Sequence, residues 1–151
     1  MKIVFCLLAL VGAGLLAACG GGGDSTSRAS NSQQPPAVSK SQFVKQVDRD
    51  CRALNAALGT ISSSSPKSAA YVPDAYEGAL TRMQSHGFPD DQSGLHQFFK
   101  AGSELVGAYQ SSGAAVQSRD PLMITKTRSD VAAAKAHFAQ AARHYGFKFC
   151  G

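Results

Sequence analysis

Between Asp120 and Gly146, the residues Ile124, Thr127, Val131, Ala134, Phe138, Ala141 and Tyr145 recur in unbroken alternating steps of three and four. A strand repeats every two residues, so this spacing puts all seven on one face of a helix. The ends carry matching signals. Asp120 can accept hydrogen bonds from the free N–H groups of a first turn, and Pro121 suits a first helical position, where its missing N–H is not needed. Gly146 allows the left-handed residue that closes a helix, with Phe147 placed to fold back on the last turn. A helix with one apolar stripe is stable only when that stripe is covered, so the rest of the chain must supply partners.

Three other stretches show the same period. Ser39 and Gln42 have capping-box spacing, with Ser41 as an alternative cap, and Phe43, Val47, Cys51, Leu54, Leu58 and Ile61 then define one face up to the stop at Ser62–Pro66. A second, shorter helix is expected to start near Pro73-Asp74, bury Tyr76, Leu80 and Met83, and stop at Gly87-Phe88-Pro89. A third follows Asp90-Asp91, with Leu95, Phe98, Phe99, Gly102, Leu105, Val106, Tyr109, Gly113 and Val116 in helical register. Gly102, Gly107 and Gly113 each disfavour helix by about 1 kcal/mol relative to Ala, which implies either close helix packing or a bend. No strand pattern competes, because Phe147–Cys150 has no obvious mate. The expected fold is all-α: an antiparallel up-down four-helix bundle over residues 41–151.

The start of the chain has a different character. Met1-Lys2 precedes the apolar run Ile3–Val11, then Gly12-Ala13-Gly14, then small residues, which is the layout of a secretory signal peptide. The run is too short and too rich in Gly and Ala for a membrane span, which needs about 20 apolar residues. Its end, Leu16-Ala17-Ala18-Cys19, resembles the lipobox of bacterial membrane lipoproteins. The resemblance covers residues 1–40 and carries no information about the helical domain. It implies that residues 1–18 are removed and that Cys19 becomes the first residue, lipidated on its sulfur and amine. Several acyl chains, at about 0.8 kcal/mol per buried methylene, would make the membrane anchor durable. The implied location is the cell envelope. In a host with two membranes, Gly20 after the lipidated Cys resembles the pattern of outer-membrane lipoproteins facing the periplasm, while retention at the inner membrane stays open. Residues 19–40, with Gly20–Gly23 and Pro35-Pro36, read as a flexible lipidated tether with a reach of about 25 Å.

On this reading Cys6 leaves with the signal peptide and Cys19 carries lipid. Cys51 and Cys150 then remain in a compartment that permits disulfides, and a Cys51–Cys150 bridge is expected. Bundle topology agrees with it. Up-down-up-down order brings the end of the fourth helix beside the start of the first. The tail after Gly146 spans at most about 17 Å, and Cys51 lies about 15 Å along its helix from Ser41.

Composition sets further bounds. The net charge is +5, falling to +4 without Lys2, and no block of Lys or Arg occurs, so nucleic acid is not an expected partner. Trp is absent, and the abundance of Ala, Gly and Ser implies a thin core. Charge is polarised: beyond Pro121, Lys126, Arg128, Lys135, Arg143 and Lys148 face Asp130 alone. Arg128, Lys135 and Arg143 fall within an arc of about 80° on the fourth helix, away from its core stripe. They form either a contact strip for an anionic lipid head group, envelope polymer or acidic partner, or a solubilising face.

Catalytic and metal-binding signatures are absent. His137 and His144 lie about 10.5 Å apart along their helix, too far to share one ion, and His86 and His96 near Asp90 and Asp91 read as solvated loop residues. No serine sits in a nucleophile motif. Asp48 and Asp50 read as solvated, with Arg49 and Arg52 as neutralising neighbours, and Glu77 and Glu104 as unpaired. Neither catalytic residues nor a cofactor or metal is expected. Two functions follow from this: a non-enzymatic envelope lipoprotein whose bundle binds a partner or acts as a scaffold, or a periplasmic bundle holding a small molecule or metal between helices. Tyr71, Tyr76, Tyr109 and Tyr145 could line a cleft for the second, although helical spacing favours the core for three of them.

Overall fold

A computed structural model of the protein describes residues 38–61 and 66–151, with the side chains of residues 66–69 outside the description. The expected signal peptide, Cys19 and nearly all of the expected tether lie outside these residues. Four helices follow in order: α1 (Lys40–Gly59), α2 (Pro66–Ser85), α3 (Leu95–Ser118) and α4 (Pro121–Tyr145). Among the described residues there is no strand, and the fold is the expected all-α bundle closed by a disulfide. Contacts group Gln33–Gly151 as one compact unit, and the described core and the disulfide both lie within it, so it has the make-up of a domain that folds on its own.

Local chemistry sets the helix ends. Ser39 and Gln42 form the capping box: the Gln42 N–H donates to Ser39 Oγ and the Ser39 N–H donates to Gln42 Oε1, both at 3.3 Å. Asp120 Oδ1 accepts from the Leu122 and Met123 N–H groups at 3.0 and 3.2 Å. At the far end of α4, Gly146 takes φ 111° and the Phe147 N–H donates back to the Ala142 carbonyl, leaving the Phe147 ring buried. The α1 face buries Phe43, Val47, Cys51 and Leu54, but the helix closes at Thr60, so Ile61 lies just beyond it.

Helix α2 differs from expectation. It starts at Pro66, well before Pro73, which lies inside it. Pro66 supplies the first-turn signal that the sequence reading attributed to Pro73. An interior Pro removes a hydrogen bond and crowds the preceding turn, at about 3 kcal/mol. Pro73 is buried on the face that carries Tyr76, Leu80 and Met83, so packing of its ring offsets that cost. In α3, Gly102 answers the question of packing against bending at its own position. A Cβ there would come within 2.7 Å of Leu80 Cδ2 and 3.3 Å of Phe138, so its bareness lets α2 and α4 close on α3. Gly107 faces open space. Val116, expected in the core, is 40 % exposed, and Ala115 is buried instead.

Packing runs in sequence: α1 on α2, α2 on α3, and α3 on α4. The backbones of α1 and α4 stay farther apart, and the two helices meet through side chains: Phe43 lies edge-on to Tyr145 at 6.2 Å, and Lys40 Nζ sits 4.7 Å from the same ring. The C-terminal tail fills part of the space between them. Phe147 sits among Phe43, Phe98 and Tyr145, with ring centroids 6.2, 4.6 and 4.8 Å away. Cys150 is bonded to Cys51, with the two Cα atoms 5.0 Å apart.

Candidate functional site

The tail is held by more than the disulfide. Asp48, buried on α1, accepts from the backbone N–H groups of Lys148 and Phe149 at 2.8 and 3.1 Å. Asn55 Nδ2 donates to the Phe149 carbonyl at 2.9 Å, and the Arg52 guanidinium lies 4.4 Å above the Phe149 ring. These contacts correct the reading of Asp48 as a solvated carboxylate. Two backbone N–H donors converge on its Oδ1 where water is largely excluded. Asp50 is not neutralised by arginine either; it pairs with His86 Nε2 at 2.7 Å.

Beyond the tail, the gap between α1 and α4 stays open as a cleft of about 710 Å³. Its walls are Leu54 and Leu58 of α1, with Ile61 just after it, and Phe138 of α4. Its floor is Val72 and Tyr76 of α2 with Leu105 and Tyr109 of α3, and Cys150 and Gly151 close one end. Tyr76 and Tyr109 stack with centroids 5.4 Å apart, and Phe138 meets Tyr76 edge-on at 6.3 Å. Burial, with Tyr109 as neighbour, pushes the Tyr76 phenol far above its usual range, and burial also raises Tyr109. Both phenols therefore stay neutral at physiological pH. No Asp or Glu side chain lines the cleft, and Lys135 on α4 is its sole charged lining side chain.

The other residues singled out in the sequence take simple positions. Arg128, Lys135 and Arg143 are all exposed, and none pairs with a carboxylate among the described residues. Only Lys135 reaches the cleft. Tyr145 is buried, with its hydroxyl donating to the Asp91 carbonyl at 3.0 Å, and Tyr71 is 51 % exposed, so neither lines the cleft. His137 Nδ1 lies 3.0 Å from Glu104, which is therefore not unpaired. Among the described residues no three His, Cys, Asp or Glu side chains come together as a metal site, and no helix is long and apolar enough to cross a membrane. No protein-family model matches the chain, and no curated protein or solved structure matches it.

In the sequence Tyr76 and Tyr109 are candidates for a cleft, with spacing favouring the core, and in the fold they serve both. Tyr76 is buried in the core, Tyr109 packs against it, and both line the cleft, because a helical stripe does not reveal whether its neighbour is a helix or a gap. Asp48 gives no signal of its position: it lies about 100° around the helix from Val47, off the stripe of Phe43, Val47, Cys51 and Leu54, and is covered only because the tail folds over it.

Proposed function

We propose that this chain is a non-enzymatic, lipid-anchored protein of the cell envelope that receives an apolar small molecule between α1 and α4. The Leu16–Cys19 ending supports the anchor. The observation that carries the binding role is the cleft itself: about 710 Å³, aliphatic walls and an aromatic floor. Pockets of roughly 300–1,000 Å³ with apolar linings and few polar groups are what small ligands occupy. Of the two functions the sequence leaves open, this geometry favours ligand binding over a purely structural role.

Gly59 offers the test. It lines the cleft at the end of α1, and a Cβ built on it meets nothing within 4 Å, so Gly59→Trp should fill the mouth without straining the fold. The neutral dye Nile red should brighten and shift to the blue with the unit Gln33–Gly151, and much less with Gly59→Trp at unchanged helical content. Equal dye response in the two proteins, or none in the unsubstituted one, would remove the cleft as a binding site. The exposed strip of Arg128, Lys135 and Arg143 supports a second reading, weak attraction to an anionic surface or polymer. Replacing all three with Gln should abolish salt-sensitive binding to anionic vesicles. Persistence of that binding would reduce the strip to a solubilising face.

A further inference from the structure

We infer that the molecule held in the cleft is an anionic amphiphile, with an apolar chain over the Tyr76–Tyr109 floor and a negatively charged head at Lys135. The inference rests on the binding role proposed above and specifies the chemistry of its ligand.

The argument is one of charge complementarity. Every other side chain lining the cleft is uncharged: aliphatic groups, Phe138, two phenols that hold their protons, the bridged Cys51 and Cys150, and Asn55, whose amide is already bound to the Phe149 carbonyl. Among these side chains Lys135 alone carries charge, with the main-chain carboxylate of Gly151 at the closed end as the other charge of the lining. Lys135 pairs with no carboxylate among the described residues, although the other α4 lysine, Lys126, pairs with Asp130 at 2.6 Å. Lys135 is exposed at the edge of the cleft, so a neutral ligand gains nothing from its ammonium, whereas an anionic head can accept a charge-assisted hydrogen bond from it. An ammonium on a flexible stem also suits a head whose position varies with chain length.

The neighbouring cations divide by position. Arg128 is seven residues before Lys135, on nearly the same line of the helix and about 10.5 Å away. Arg143 lies about 80° around the helix and about 12 Å in the other direction, past the closed end of the cleft. Arg143 therefore serves as a control with the same charge but the wrong place.

The experiment measures displacement of Nile red from the unit Gln33–Gly151 at low salt by dodecanoate, dodecyl phosphate and dodecanol, each below its self-association limit. Both anions should displace the dye at lower concentration than the alcohol, and the tighter of the two identifies the head as carboxylate or phosphate. Lys135→Gln should weaken the preferred anion about five-fold, the size expected for a partly exposed ion pair, and leave dodecanol unchanged. Arg143→Gln should change nothing. Three results overturn the inference while leaving an apolar cleft in place: dodecanol binding as tightly as both anions, Lys135→Gln weakening all three probes alike, or Lys135→Gln and Arg143→Gln weakening the anions equally. Failure of all three probes to bind overturns the cleft reading together with the inference.

Discussion

Replacing Asp48 tests how the tail is held. Its Oδ1 accepts from the Lys148 and Phe149 N–H groups at 2.8 and 3.1 Å, while the residue is 6 % exposed. Hydrogen bonds to a charged group contribute about 1.5–3 kcal/mol each, so two give an upper range of about 3–6 kcal/mol. The lower end applies, because Lys148 and Phe149 are exposed and their freed N–H groups can reach water, and because the disulfide keeps the tail nearby. Asp48→Ala should therefore destabilise the oxidised protein by about 3 kcal/mol, and Asp48→Asn, which keeps an acceptor but not the charge, by about 1–1.5 kcal/mol. Urea denaturation of the unit Gln33–Gly151, followed by helical circular dichroism, measures both. A loss below about 0.5 kcal/mol for Asp48→Ala, within the range of ordinary surface changes, would refute the assignment of Asp48 as the clamp of the tail. A loss in Asp48→Asn equal to that in Asp48→Ala would show that charge plays no part.

Other predictions follow from single contacts. Non-reducing mass spectrometry should find the Gln33–Gly151 unit two hydrogens lighter than its reduced form. Reduction should lower stability by at most about 4.7 kcal/mol, the chain-entropy value for a loop of about 100 residues; two alkylatable thiols in the untreated folded protein would contradict this. Gly102→Ala sets a helix-propensity gain of about 1 kcal/mol against overpacking of about 1–3 kcal/mol on Leu80 and Phe138, so a net loss near 1 kcal/mol is expected, measurable as a lower Tm. Gly107→Ala, with open space around it, should be stabilising by up to about 1 kcal/mol. Cys19→Ala should abolish both fatty-acid labelling and membrane retention; label retained by that variant would rule out Cys19 as the lipidation site.

Much of the fold was legible because it depends on local chemistry. Ser39 with Gln42, Asp120 before Pro121, and Gly146 before Phe147 are decided within a few residues, and each cap forms as the sequence implies. Helix α2 was misjudged at Pro73 because a proline within a first turn and a proline in a buried helix interior look the same until the packing of its ring is known. The cleft was illegible for a related reason. Leu54, Leu58, Tyr76 and Tyr109 keep core spacing, yet part of the surface they present faces space that α4 does not fill. The basic strip was legible as a strip, but only tertiary structure distinguishes Lys135 at the cleft from Arg143 beyond it.

The tail links these observations. The backbone of α1 lies close to α2 but not to α4, which it meets through Phe43 and Lys40 against Tyr145, so the rest of that side of α1 would otherwise be bare. The segment Phe147–Cys150 covers part of that side with an aromatic ring, a buried carboxylate contact and a covalent bond, and leaves Leu54, Leu58 and Ile61 facing the cleft. A fourth helix packed along the whole of α1 would bury more apolar surface and leave no cleft. Holding α1 by a short, cross-linked tail stabilises the bundle through chain constraint rather than contact area, so a domain with few large side chains can keep an open cavity. That arrangement needs an oxidising compartment. The export proposed from residues 1–18 would supply one.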